Sequence, residues 1–156
     1  MRHRNITLSL ALVASFAAGI VATPVARHVV GDARAAAAPL APTMIDLAAL
    51  KHADLPTTSN PEMNNRLLVD TDNATVAVQS GNVKKHMHPN TNEIQYIIEG
   101  SGAMWLGNER KEFKPGTLIV IPKGTAHAGT IVASGPVKAL VVKIPPQAPT
   151  DTVFLD

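Results

Sequence analysis

The sequence predicts an all-β domain, a sandwich or a barrel, preceded by a separate N-terminal export segment. Three observations carry that prediction. Short runs rich in Ile, Val and Leu recur from about residue 65 onward, and clusters of Gly, Pro and Asn punctuate them at even spacing. The charge and the alanines are distributed unevenly along the chain. Cysteine is absent, so neither disulfides nor thiolate–zinc sites staple the fold.

The N-terminal piece comes first. The 156-residue chain has a formal net charge of +2. Four of its 14 Lys/Arg (Arg2, Arg4, Arg27, Arg34) and one of its 12 Asp/Glu (Asp32) fall in residues 1–35, leaving 10 against 11 elsewhere. The basic character is therefore a property of the N-terminus. The rest is near neutral and lacks the basic, aromatic-interleaved surface of a nucleic-acid binder, so no nucleic-acid partner is expected. Arg2 and Arg4 precede an uncharged apolar run, residues 6–22. A positive stub before an apolar run is the layout of a secretory signal. Its 17 residues also approach the length that spans a bilayer. Residues 1–35 thus read as a signal peptide or an N-terminal membrane anchor, and either places the remainder in the periplasm, outside the cell or on the outer side of the inner membrane. Residues 36–43, rich in Ala and Pro, read as a linker. The folded domain is expected over residues 44–156, a normal size for one compact unit.

Within that domain, only residues 45–52 have any helical character. Strands are expected at 65–69, 75–79, 94–98, 103–106, 117–121 and 137–144. Turn chemistry separates them at 71–73, 81–82, 100–102, 107–108, 114–116 and 134–136.

The chemistry concentrates in three histidines. His86 and His88 are two apart, so on a strand both imidazoles leave the same face. Glu93 follows the turn-like residues 89–92, and a hairpin there would return its carboxylate beside them. His127 follows another strand and turn. Three imidazoles and a carboxylate suit Mn, Fe, Ni, Cu or Zn with positions left for water or substrate. Spacing alone equally fits ordinary surface-strand histidines.

Two further patterns resemble the cupin superfamily, in its small single-domain, germin-like form. Gly81, His86, His88, Glu93 and Gly100 follow the first cupin motif, with one residue fewer between Gly81 and His86. Gly116, Pro122, Gly124 and His127 follow the second, with Ile131 in place of its final Asn. The resemblance implies a single cupin (jelly-roll) β-barrel and assigns His86, His88, Glu93 and His127 as ligands of one divalent transition metal. It implies a small-molecule substrate or ligand and a homodimer. Glu93 could alternate between ligand and general base. By strand parity Gln95 points inward with Glu93, and Gly129 and Ile131 share a face with His127, making all three candidates for the substrate pocket. Tyr96 has the opposite parity and reads as packing, and Trp105 as core or interface. Lys84 and Lys85 read as a solvated strand end. Three functions fit: a metal-dependent oxidoreductase of dioxygenase or oxidase type, a non-catalytic metal- or ligand-binding module, and a sugar isomerase or epimerase. A second acid–base group in the pocket would favour the last.

Overall fold

A computed structural model describes residues 39–156. The export segment (1–35), its apolar run (6–22) and the first residues of the linker lie outside the described residues. Among those described, no helix is long and apolar enough to cross a membrane. The expected helical turn at 45–52 reduces to an isolated turn at 47–49 and a single 3-10 turn, His52–Asp54.

Eight strands follow: β1 (Met63–Asp70), β2 (Thr75–Gly81), β3 (His86–Met87), β4 (Asn92–Leu106), β5 (Glu109–Phe113), β6 (Leu118–Ile121), β7 (His127–Ile144) and β8 (Val153–Phe154). Two long antiparallel strands organise the barrel. The first half of β4 lies between β6 and the second half of β7; its second half lies between β5 and the first half of β7. On its other edge, β7 pairs with β2 and, at His127, with β3. β1 extends the sheet beyond β2, and β8 extends it beyond β3.

Two expected turns are absorbed into these strands. Residues 100–102 continue β4 and residues 134–136 continue β7. The turn chemistry is expressed instead as register shifts between Ile97 and Gly102, which bend the pair without ending it. Gly102 permits the bend: a Cβ there would lie 2.4 Å from the Ile131 carbonyl oxygen, so only glycine lets the two backbones approach this closely. The shifts also exchange the strand's faces. Glu93 and Ile97 are buried in the first half, and Met104 in the second.

At 81–82 the expected turn does not form, since Gly81 ends β2 and an irregular segment follows, but others form as their sequences dictate. Thr71 caps its own turn, its hydroxyl donating to the Ala74 carbonyl at 2.8 Å and accepting from the Ala74 N–H at 3.0 Å. The Pro122–Thr125 turn closes with Thr125 N–H donating to the Pro122 carbonyl, and Gly124 takes the left-handed position that such a turn requires. The Gly124 N–H also donates to the His88 carbonyl at 2.8 Å, tying this turn to the first histidine pair.

The core lies inside the barrel. Ile97, Met104, Phe113, Ile119, Ile121, Ala139 and Val141 form one buried apolar cluster. The outer face of β2 is also covered, so Val78 and Ser80 are fully buried. Residues 48–57 do this, held by His52 Nδ1 against Ser80 Oγ (3.0 Å) and by Lys138. Lys138 is buried and donates to the Leu50 carbonyl (2.9 Å) and to Glu99 Oε1 (2.5 Å). Among the described residues, the outer face of β6 and β4 carries no such cover: Tyr96 is 45% exposed, Leu118 61% and Val120 58%.

Candidate metal centre

The sheet pairing brings three histidines to one point. His86 opens β3 and pairs directly with His127, which opens β7. His88 lies one residue beyond β3. Their ligand nitrogens lie within 4.8 Å of one another, and all three residues are buried. The expected hairpin to Glu93 does not form. β3 pairs with β7 and β8, whereas β4 pairs with β5, β6 and β7, so residues 88–92 connect two strands that are not neighbours in the sheet. Glu93 therefore reaches the histidines from across the barrel, with Oε2 3.1 Å from His88 Nε2 and 3.8 Å from His127 Nε2.

The orientation of the rings is fixed from behind. His86 Nδ1 faces the Lys84 carbonyl (2.8 Å), His88 Nδ1 the Asp151 carbonyl (2.6 Å) and His127 Nδ1 the Thr125 carbonyl (2.9 Å). A carbonyl can only accept, so each Nδ1 carries the proton and each Nε2 turns a lone pair into the cluster. His88 Nε2, His127 Nε2 and Glu93 Oε2 are then acceptors facing acceptors, and all three are buried with no hydrogen-bonding partner. Such a set favours the capture of a proton or a cation at its centre. Three imidazoles and a carboxylate are borderline-to-hard donors that fit a first-row divalent ion. Residues His86, His88, Glu93 and His127 thus fit the metal that their residue types suggest.

The surroundings favour the binding form of each ligand. Burial, with His127 and His88 nearby, lowers His86 from its ordinary 6.5 to about 4, against the opposing pull of the Lys84 carbonyl and Glu93. Burial likewise lowers His127, opposed by Glu93 and the Thr125 carbonyl. Burial alone would raise Glu93. Contacts with His88, the Lys143 ammonium, the Gln95 amide and His127 together outweigh it and hold Glu93 at about 2.

A cavity of about 220 Å³ opens beside the cluster. His86, His88, Glu93 and Gln95 form one wall, and Ile97, Met104, Phe113 and Val141 an apolar one. Gln95 points inward with Glu93 and donates to its Oε1 at 2.6 Å. The other two pocket candidates lie elsewhere. Ile131 is 61% exposed, and a Cβ on Gly129 would point at Lys85 and Trp105 rather than into the cavity. Strand parity fails here because Ala128 and Gly129 both adopt left-handed conformations (φ 67° and 58°), which rotates the chain. Ala128 and Thr130 line the cavity instead. Tyr96 is exposed rather than packed. Trp105 is half-buried under two cations, Lys85 Nζ at 4.2 Å and the Arg110 guanidinium at 4.7 Å from its ring.

Two features of the site lay outside the sequence expectations. Lys143 sits on the cavity wall with Nζ 3.5 Å from Glu93 Oε2. Its one sequence signal is a lysine interrupting the apolar run 139–144, and β4 pairs it directly with Glu93. The second is the segment 147–154. Asp151 accepts from the Asn90 backbone N–H and the Asn90 amide, both at 2.9 Å, and its carbonyl holds His88. Thr152 and Phe154 from this segment also line the cavity.

Fold and site together define a class. A profile of the cupin domain family matches residues 74–143, and the chain carries a small cupin domain. An uncharacterized protein of Methanocaldococcus jannaschii is 41% identical over 71 residues, spanning 46% of this chain and 57% of that protein, or little more than half its length. Solved structures share the fold. KdgF from Halomonas sp. is 16% identical, with 58% of this chain and 87% of that chain covered and a TM-score of 0.51. The nucleoside dehydratase Pac13 of Streptomyces is 19% identical, covering 60% and 78%, with a TM-score of 0.51. The polyketide cyclase RemF of Streptomyces resistomycificus is 26% identical, covering 61% and 73%, with a TM-score of 0.50.

Proposed function

We propose that the protein is an exported cupin that binds one divalent transition metal through His86, His88, Glu93 and His127 and acts as a metal-dependent oxidoreductase, of dioxygenase or oxidase type, on a small organic substrate. The observation that carries the metal reading is the convergence of three buried imidazoles whose Nδ1 protons are all committed to carbonyls. The adjacent cavity supports a small-molecule ligand over a purely structural metal. When bound, the ion would supply Lewis-acid or redox chemistry at the cavity wall. The chain's own residues do the rest. Gln95 holds Glu93 Oε1, and the wall formed by Ile97, Met104, Phe113 and Val141 excludes water from one side of the ligand.

A second reading has an observation of its own. Lys143 beside Glu93 is the additional acid–base group that proton transfer needs, which favours an isomerase- or epimerase-like reaction on the same substrate class. The dehydratase and cyclase among the structural relatives are non-oxidative precedents for the fold. Export rests on the Arg2/Arg4 stub and the apolar run 6–22. A homodimer through the uncovered face of β4 and β6 completes the proposal.

The test begins with elemental analysis of the full chain purified from its native compartment. One equivalent of a transition metal is expected, and none in the His86→Ala/His88→Ala double variant. Full metal content in that variant refutes the site. A substrate screen on the loaded protein then separates the chemistries. Oxygen uptake supports oxidation, whereas deuterium incorporation from heavy water without oxygen uptake supports proton transfer.

A further inference from the structure

Lys143 gives the cavity a chemical preference. Resting on the metal reading above, we propose that the cavity selects small aliphatic carboxylates, with the anion held on the Lys143 ammonium beside the metal and the aliphatic end on the Ile97, Met104, Phe113 and Val141 wall.

Three observations lead there. The first is charge. Glu93 and Lys143 are the only Asp, Glu, Lys or Arg side chains lining the cavity among the described residues. Their charges cancel, and the histidines are neutral when they present Nε2 to an ion. A divalent ion therefore leaves the pocket at +2, and Lys143 is only 16% exposed. Uncompensated charge in a poorly solvated pocket is costly, so the occupant that relieves it is an anion. The second is donor capacity. An ammonium has three N–H donors. Gln147 Oε1 accepts one hydrogen bond from Lys143 Nζ, and Glu93 Oε2 at 3.5 Å is an ion-pair contact rather than a hydrogen bond, which leaves donor capacity for a ligand. Gln147 is itself anchored, donating to Thr152 Oγ1 at 2.6 Å, so the ammonium is held in place rather than free to swing into solvent. The third is size and polarity. A dry cavity of about 150 Å³ accepts benzene, so about 220 Å³ encloses on the order of ten non-hydrogen atoms. The wall formed by Ile97, Met104, Phe113 and Val141 is aliphatic and aromatic and suits a short hydrocarbon tail, while Asn60, Gln79, Asn82 and Thr130 line other parts of the cavity.

The experiment uses the full chain loaded with zinc, which is redox-silent, and calorimetric titration with 4-methylpentanoate and its neutral isostere 4-methylpentanamide. Zinc content is measured on every sample. Wild type should bind the carboxylate at least tenfold more tightly than the amide, the usual size of a charge-assisted hydrogen bond. Lys143→Gln should weaken the carboxylate at least tenfold and leave the amide within twofold. Lys143→Arg should restore carboxylate binding to within threefold of wild type. A carboxylate affinity unchanged in zinc-replete Lys143→Gln overturns the proposal. So does a wild-type preference below twofold, which needs no variant to fold. Wild-type protein that takes up no zinc refutes the metal centre instead, so the two failures are separable.

Discussion

The metal-free protein should lose stability in mild acid, and the histidine cluster sets both the window and the size of the loss. His86 titrates at about 4 in the folded chain and at its ordinary 6.5 when unfolded. Between those values the unfolded chain binds a proton that the folded chain refuses, so acid draws the equilibrium toward unfolding. The contribution is fully present above 6.5 and is lost as pH falls toward 4. Across the whole window it amounts to about 3 kcal/mol, and to between about 2 and 3 kcal/mol at pH 4.5. His127 is lowered by the same burial and acts in the same direction. Glu93 opens a second window. Its carboxyl is held at about 2 against an ordinary 4.5, so its contribution is present above 4.5 and disappears as pH falls toward 2. Domains of this size are stable by roughly 5–15 kcal/mol, so the histidine term alone is a large share.

Urea titrations of chelator-treated protein at pH 7.5, 6.5, 5.5 and 4.5, followed by Trp105 fluorescence, measure this directly. The midpoint should be level above 6.5 and fall steadily below it. His86→Asn should flatten much of that fall, because its amide does not titrate. A saturating metal should raise the midpoint at neutral pH, since it binds only the folded state, and should steepen the acid loss, since protons compete for the same Nε2 lone pairs. A midpoint that stays constant from 7.5 to 4.5 would refute the protonation states assigned to the cluster.

Asp151→Ala removes the acceptor of two Asn90 hydrogen bonds and loosens the loop whose carbonyl orients His88. Metal affinity, measured by competition with a chromophoric chelator, should fall about 10- to 100-fold, the usual cost of losing support behind a ligand; a change under twofold would exclude that role. Val120→Lys places a charge in the uncovered face shared with Tyr96 and Leu118. Light scattering should show a dimer for wild type and a monomer for this variant; a monomeric wild type ends the dimer proposal.

What was legible in the sequence follows from what each signal encodes. The His86/His88 pair and the turn before His127 were visible because spacing and turn residues are local properties. Glu93 was rightly expected near the histidines, but by the wrong route. Nothing local shows that residues 88–92 connect strands that do not pair, since such connections and hairpin turns use the same Pro and Asn. Parity gave Gln95 correctly because β4 is regular from Glu93 to Ile97. It failed for Gly129 and Ile131 because two left-handed residues reset it. Glycine at 129 was a warning of that, but Ala128 at φ 67° carries no sequence signal. Lys143 and Asp151 were invisible because their partners lie 50 and 61 residues away in sequence.

The same pairings explain why the site is assembled by the barrel rather than by its loops. His86 and His127 are direct cross-strand partners, and so are Glu93 and Lys143. Both pairs include a residue of β7, one at its first position and one next to its last. They meet only because the β4–β7 ladder bends through the shifts beside Gly102, folding the two ends of β7 toward one cavity. The site's geometry is therefore tied to the register of the whole sheet. A change that straightens the ladder, such as a side chain at Gly102, would separate the histidines from Glu93 without touching any ligand.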